Sequence, residues 1–353
     1  MVQRGTPLQP TLTLADLGWS ADFQSQLDPN DSATSVPARI TVVHRDRVEA
    51  LLPDGPVSLT LPPRLSTHDV AVGDWVLTDL ASGRVARVLE RRSVLFRRAA
   101  GTGIDRQLIG ANLDGLAIVT SCNAEFSAAR LERYLAMAQS SGIAPILILT
   151  KADSADPAPF VAEARMAGRG APVLALDARD PMGVAVLAEW CGPGRTLGLV
   201  GSSGVGKSTL AASLTGTFQA TAGIRDDDKG RHTTTARFLL RTLAGGWLLD
   251  TPGMRELRLT DAAEGIAATY EDIDVVAQSC RFGDCAHDTE PGCAIRAAVG
   301  AGTLDPDRLH RWQKLIREDR HNAETLAEAR KRARGFGKMA RGAMKAKTDR
   351  RDV

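Results

Sequence analysis

Long apolar runs are missing from this chain of 353 residues: stretches such as PILIL reach about a quarter of the roughly 20 residues that a membrane helix needs. The start, MVQRGTPLQP, lacks the apolar core of a signal peptide, so a cytoplasmic location and no membrane partner are expected. Aromatic residues are scarce at 4%, which leaves few side chains for stacking on nucleobases. Cysteine is sparse and odd in number, five in all, with three of them between 280 and 293. That spacing suits a metal site better than a disulfide framework, and Cys122 and Cys191 stand alone as packing residues. A strong net charge is also absent, but the value of +2 hides an asymmetry. Residues 330–353 hold ten Lys/Arg against two Asp/Glu, and the remainder of the chain holds 34 against 40. A basic tail on an otherwise acidic protein points to a polyanionic partner.

What is present is globular: 43% hydrophobic and 24% charged residues over a length sufficient for two or three domains. Residues 1–35 join LADLGWSADFQSQL, read as a short amphipathic helix, to the linker-like DPNDSATSVP. Residues 36–98 change to short alternating segments between Gly, Pro and Asp turns (RITVVHRDRVEALL, VSLTL, GDWVLTDL, GRVARVLERRSVLFRR), which predict a small β-barrel of the OB or SH3 kind. Arg91, Arg92, Arg97 and Arg98 make it a candidate RNA-binding barrel, and the scarcity of aromatics leaves a purely structural barrel open. In residues 99–262 apolar strands (GLAIVT, PILILT, APVLAL, TLGLV, GWLLD) alternate with helices such as SAARLERYLAMAQSS, predicting a mostly parallel sheet covered on both faces. Residues 263–353 carry no strong strand. They read as a cysteine-containing loop followed by charged helix and the basic tail.

Gly201 to Ser208, GSSGVGKS, fits the phosphate-binding-loop pattern between a strand and a helix. Gly201, Ser202, Ser203, Gly204, Val205 and Gly206 would wrap backbone N–H groups around phosphates, Lys207 would neutralise the β/γ oxygens, and Thr209 continues the helix. The Ser208 hydroxyl would coordinate Mg²⁺. About forty residues on, LLDTPG places Asp250 to hold Mg²⁺ through water and Gly253 to offer its N–H to a γ-phosphate. Between them, GRHTTTAR offers Thr233 or Thr234 to complete the Mg²⁺ shell, and Thr234 is the choice taken.

The base is chosen by LTKAD. A carboxylate at Asp153 accepts from guanine N1–H and the 2-amino group, which adenine does not offer, so GTP and GDP are expected over ATP. Lys151 would lie along the purine face. Thr150 stands where Asn is usual and is shorter, which leaves open whether it reaches the phosphate loop. A second base-contacting loop is expected at Asp177-Ala178, a weak match to Ser-Ala. Met254 follows Gly253 where many GTPases place a water-orienting glutamine, and a thioether cannot do that job. CRFGDCAHDTEPGC gives Cys280, Cys285, His287 and Cys293, the donor set of a closed, structural zinc site.

LTKAD precedes the phosphate loop, the reverse of the usual order. That order, with HTTT, DTPG and the Cys₃His cluster behind a barrel, resembles the ribosome small-subunit-dependent GTPases, the RsgA or YjeQ family, over roughly residues 36–300. The resemblance implies a multidomain α/β protein: an OB-like barrel, a circularly permuted P-loop GTPase domain and a C-terminal helical zinc-binding domain. It implies GTP hydrolysis stimulated by the small ribosomal subunit, a role in that subunit's late maturation, and contact with 16S rRNA. It also implies that His232 takes over the orientation of water. A monomer is expected. The competing readings are a permuted GTPase for large-subunit assembly, which the cluster Cys280 to Cys293 opposes, and a non-hydrolysing rRNA-binding adaptor, which Lys207, Ser208 and Asp250 oppose.

Overall fold

The computed structural model describes residues 12–29, 31, 35–98, 106–217, 237–250 and 262–320. The chain divides into two compact units, Met1–Phe96 with Leu108–Glu256, and Arg97–Gln107 with Leu257–Val353.

The first unit opens with an irregular segment rather than the amphipathic helix expected: only α1 (Ala21–Gln24) is helical. Its apolar side chains nevertheless find a core. Leu17 and Phe23 are fully buried, and Trp19 stacks edge-on against Trp75 with ring centroids 4.8 Å apart.

Five antiparallel strands follow, β1 (Val36–Val43), β2 (Val48–Leu52), β3 (Gly55–Leu59), β4 (Trp75–Asp79) and β5 (Arg84–Val88), in the order β3-β2-β1-β4-β5. A parallel bridge between Thr60 and Arg84 joins the two edges, so the sheet closes on itself as an OB-like barrel does. Alternate inward residues, among them Ile40, Val48, Ala50, Leu59, Val76 and Val85, fill it. The apolar end of the fourth sequence segment does not join the barrel. It forms β6 (Val94–Arg98), which pairs with β7 (Arg106–Ala111) in a separate ladder.

The larger sheet contains β8 (Gly115–Ser121), β9 (Ala144–Thr150), β10 (Val173–Ala175), β11 (Thr196–Gly201), β12 (Phe238–Arg241) and β13 (Trp247–Asp250). Their order is β10-β9-β8-β11-β13-β12, parallel throughout except for the β12–β13 hairpin. Both faces are covered, so β8 reads as continuously apolar and every one of its residues is buried. Of the intervening helices α2 (Ala128–Ser140), α3 (Ala158–Gly168), α4 (Pro181–Ala185), α5 (Ala188–Cys191) and α6 (Lys207–Thr215), the last three pack Val184, Cys191, Leu210 and Leu214 on Ala117, Val119, Ile148 and Leu199. Burying these side chains contributes roughly 2 kcal/mol each. β11 thereby sits at the centre of the sheet, with β8 on one side and β13 on the other.

The second unit is helical among its described C-terminal residues: α7 (Ala263–Thr269), α8 (Glu271–Ala277), α9 (Ala294–Gly300) and residues 306–320. Ile266, Tyr270, Ile273, Ile295, Trp312 and Leu315 form its buried side chains. Arg308 ties it together: its fork donates to Asp272 at 3.1 and 3.0 Å and to the Thr269 carbonyl at 3.0 Å, and it covers the Tyr270 ring at 4.7 Å. No helix among the described residues is long and apolar enough to cross a membrane.

Candidate functional site

β11 carries the chain into the loop Ser202–Gly206 and then into α6. Gly201 is required where it stands, with φ of 147° and a place for Cβ that would lie 2.2 Å from the Val119 carbonyl oxygen. Gly206, at φ 93°, begins α6 without a side-chain cap, so no capping side chain occupies the first-turn N–H groups, as a phosphate cradle requires. Lys207 Nζ curls over the loop, donating to the Gly201 carbonyl at 2.7 Å and to that of Ser202. Burial lowers its pKa, and the Asp250 carboxylate opposes that shift. Ser208 is exposed on the first turn of α6, and Asp250 ends β13, the strand hydrogen-bonded beside β11. His232, Thr233, Thr234, Gly253 and Met254 lie outside the described residues.

The TKAD segment is fastened to the same loop. Thr150, at the end of β9 and 1% exposed, turns Oγ1 to the Val205 carbonyl at 2.5 Å, with the Thr120 carbonyl at 3.1 Å. A hydroxyl carries one proton, so the shorter contact is the bond. Threonine therefore reaches the loop despite its length, because Gly206 has no side chain to hold the strand end away: a Cβ there would stand 3.2 Å from Thr150 Oγ1. Lys151 has φ of 59° and donates from Nζ to the Gly204 carbonyl at 2.9 Å. A cavity of about 260 Å³ opens beside this junction, lined by Lys151, Asp153, Ala178, Arg179 and Thr209 among others. Asp177 and Ala178 thus do line it, and Ser213 Oγ fixes the Ala178 carbonyl at 2.6 Å. Sequence reasoning missed Arg179, whose guanidinium bonds both Asp153 and Asp177. The Asp-x-Arg spacing just past a short strand was the available signal.

Two arginines proposed for RNA are engaged internally. Arg91 makes a two-pronged pair with the fully buried Asp74, both bonds 2.7 Å, and donates to the Asp69 carbonyl. Arg92 pairs with Asp114 at 3.1 Å and stacks over Phe23. They act as struts of the first unit. The side chains of Arg97 and Arg98 lie outside the described residues.

In the second unit Cys280, Cys285, His287 and Cys293 bring one donor atom each to within 4.8 Å of one another. Cys280 Sγ is 3.5 Å and Cys293 Sγ 3.6 Å from His287 Nδ1, and the two sulfurs are 3.9 Å apart. Ligands about 2.3 Å (sulfur) and about 2.0 Å (nitrogen) from a tetrahedral zinc are separated by roughly 3.5–3.8 Å, so the cluster fits that ion. Glu290 holds the loop between the ligands, accepting from the N–H groups of Ala286, Asp288 and Thr289. Its own backbone N–H, then those of Ala286 and Asp288, keep its carboxyl down at about 2.

A P-loop sequence on the central strand, with TKAD on a strand that comes earlier in the chain, is the order of a circularly permuted P-loop GTPase. Here it is joined to a closed barrel and a Cys₃His module. A model of the RsgA GTPase family matches residues 88–260. The small ribosomal subunit biogenesis GTPase RsgA of Mesorhizobium japonicum is 50% identical over 328 residues, covering 91% of this chain and 94% of that protein. Its counterpart in Xanthomonas axonopodis pv. citri is 41% identical, covering 92% and 94%. Among solved structures, YjeQ from Thermotoga maritima matches with a TM-score of 0.61 and 26% identity, over 80% of this chain and 98% of that one. YloQ, a circularly permuted GTPase, shares the fold with a TM-score of 0.57 and 22% identity, over 85% and 96%. The chain belongs to the RsgA GTPase family.

Proposed function

We propose that this GTPase binds the small ribosomal subunit in the cytoplasm, as a monomer, and hydrolyses GTP there during late maturation of that subunit, with the subunit stimulating turnover. The observation that supports the reading is the fastening of TKAD to the P-loop, Thr150 to the Val205 carbonyl and Lys151 to that of Gly204, beside a cavity lined by Asp153 at one part and Gly206 at another.

Asp153 accepts from guanine N1–H and the 2-amino group, and the Ala178 segment closes the cavity beside it. The loop N–H groups and Lys207 hold the β- and γ-phosphates. Ser208, Asp250 and Thr234 would hold Mg²⁺, which when bound neutralises charge on the phosphate oxygens. His232 orients a water for attack on the γ-phosphorus: the new P–O bond forms as the bond to the β–γ bridging oxygen breaks, GDP leaves with that electron pair, and the water's proton passes to an oxygen of the released phosphate. With Met254 in place of a glutamine, turnover is slow until the subunit positions His232. Cys280, Cys285, His287 and Cys293 would hold one structural zinc, which cross-links their loop and leaves no open coordination position. The basic residues of 330–353 contact 16S rRNA phosphates.

Co-sedimentation tests the partner. The protein should pellet with purified small subunits in the presence of a non-hydrolysable GTP analogue and be released by GDP. Pelleting with large subunits only would overturn the proposal.

A further inference from the structure

The loops that follow β9 and β10 each present a carboxylate to the base cavity, Asp153 on one and Asp177 on the other. Two such groups would repel across a small opening and leave each other's rotamers unfixed. Arg179 stands between them. Its Nη2 donates to Asp153 Oδ2 at 2.7 Å, while Nε and Nη2 take Asp177 Oδ1 and Oδ2 at 3.0 and 3.1 Å. The Arg179 backbone N–H also donates to Asp177 Oδ1 at 2.9 Å, so the arginine is braced on its own loop before it reaches across.

Both bonds that Asp153 accepts from described side chains fall on one oxygen: Arg179 at 2.7 Å and Ser154 Oγ at the looser 3.2 Å are both on Oδ2. Oδ1 accepts nothing from the described residues, and Oδ2 regains a lone pair when the Ser154 hydroxyl turns away. The carboxylate is therefore held through Oδ2 with one acceptor left on each oxygen, the number that guanine N1–H and its 2-amino group need.

On the reading of Asp153 as the guanine acceptor, we propose that Arg179 is a specificity-positioning residue: it fixes the Asp153 carboxylate plane for two-point recognition of guanine by bracing it against Asp177. It acts on base selection through that carboxylate. This chain has no serine at the position of Asp177 to do that work with a hydroxyl; the Asp177–Arg179 pair does it with charge.

The discriminating readout is base selectivity, measured as the ratio of Kd for IDP to Kd for GDP, because inosine lacks the 2-amino group and uses only one of the two oxygens. The Arg179–Asp153 pair is solvent-facing, with the arginine side chain 68% exposed, so the effect is set by exposed-pair energies. Arg179→Ala should lower the IDP/GDP ratio about threefold to fivefold by weakening GDP more than IDP. Arg179→Lys, which reaches one carboxylate but cannot bridge two, should fall between. An unchanged ratio in both variants, or an equal loss of GDP and IDP, would overturn the inference, since a merely structural arginine weakens both nucleotides alike. Asp153→Asn tests the reading beneath it: preference should move from GDP towards XDP, whose 2-oxo group accepts from an amide. If Asp153→Asn leaves that preference unmoved, the base-reading role of Asp153 fails. If it moves while the Arg179 variants leave the IDP/GDP ratio untouched, only the role of Arg179 fails.

Discussion

Arg39 of the barrel strand β1 donates from Nη2 to Thr196 Oγ1 at 2.7 Å, so the barrel is bonded to the first residue of the strand that ends in the phosphate loop. The same guanidinium gives Nη1 to the Leu17 carbonyl at 2.6 Å, and thus three parts of the first unit meet on one buried cation. Burial pushes its pKa down to about 10, which still leaves it charged at neutral pH. Asp114, the strongest opposing charge, itself receives the Thr196 N–H at 2.8 Å.

Arg39→Ala should lower the unfolding free energy of the first unit by about 3 kcal/mol, because it strands the Leu17 carbonyl and Thr196 hydroxyl beside a cavity. Arg39→Met should cost clearly less, since it fills the volume and removes the buried charge. Urea unfolding of both variants checks the order; a larger loss for methionine would contradict it.

The irregular N-terminal segment is predicted to be a structural part of the same unit. The Trp247 indole N–H donates to the Asp16 carbonyl at 2.8 Å, and Gln26 exchanges bonds with the backbone of Glu90. Deleting residues 1–27 should expose Trp75 and Trp247 and lower the midpoint of thermal unfolding by several degrees. Intrinsic tryptophan fluorescence should shift to the red; an unshifted spectrum would count against this role.

Thr150→Val removes the hydroxyl that bonds the Val205 carbonyl while keeping the shape. GDP affinity should fall roughly fivefold to thirtyfold, corresponding to about 1–2 kcal/mol for one lost buried hydrogen bond. Thr150→Ser should retain most of the affinity. Titration with a fluorescent GDP analogue distinguishes the two, and a loss in Thr150→Ser with none in Thr150→Val would show that the methyl group, not the hydroxyl, matters.

The Cys₃His cluster should bind one zinc per chain by native mass spectrometry. Cys293→Ala should lose the metal and destabilise α9 as well, because Cys293 Sγ also caps that helix by accepting from the Arg296 N–H at 3.5 Å and alanine has no acceptor to replace it. Cys285→Ser, with no such cap, should lose the metal with a smaller loss of helix. Full metal content in both variants would exclude the site.

Much of the fold was legible because buried parallel strands write continuous apolar runs: GLAIVT, PILILT and TLGLV became β8, β9 and β11. The short antiparallel β12, FLLR, was missed because its four residues lie at the sheet edge and only Leu239 is buried. The N-terminal segment was misread because its apolar residues serve tertiary contacts with Trp75 and Arg39, not a helical face. Phosphate and metal motifs were legible since their chemistry demands fixed residue types at fixed spacing. The partners of Arg91, Arg92 and Arg179 were not, because an arginine's partner is decided by the fold: Asp74, Asp114 and Asp153 come beside them only when the chain folds.

The most direct test is steady-state hydrolysis by the full chain, with and without purified small ribosomal subunits and with ATP as competitor. GTP turnover should be slow alone, rise strongly with small subunits and be insensitive to ATP. His232→Ala should lose most of that stimulation while keeping nucleotide affinity. Stimulation only by large subunits, or hydrolysis of ATP at a comparable rate, would contradict the account.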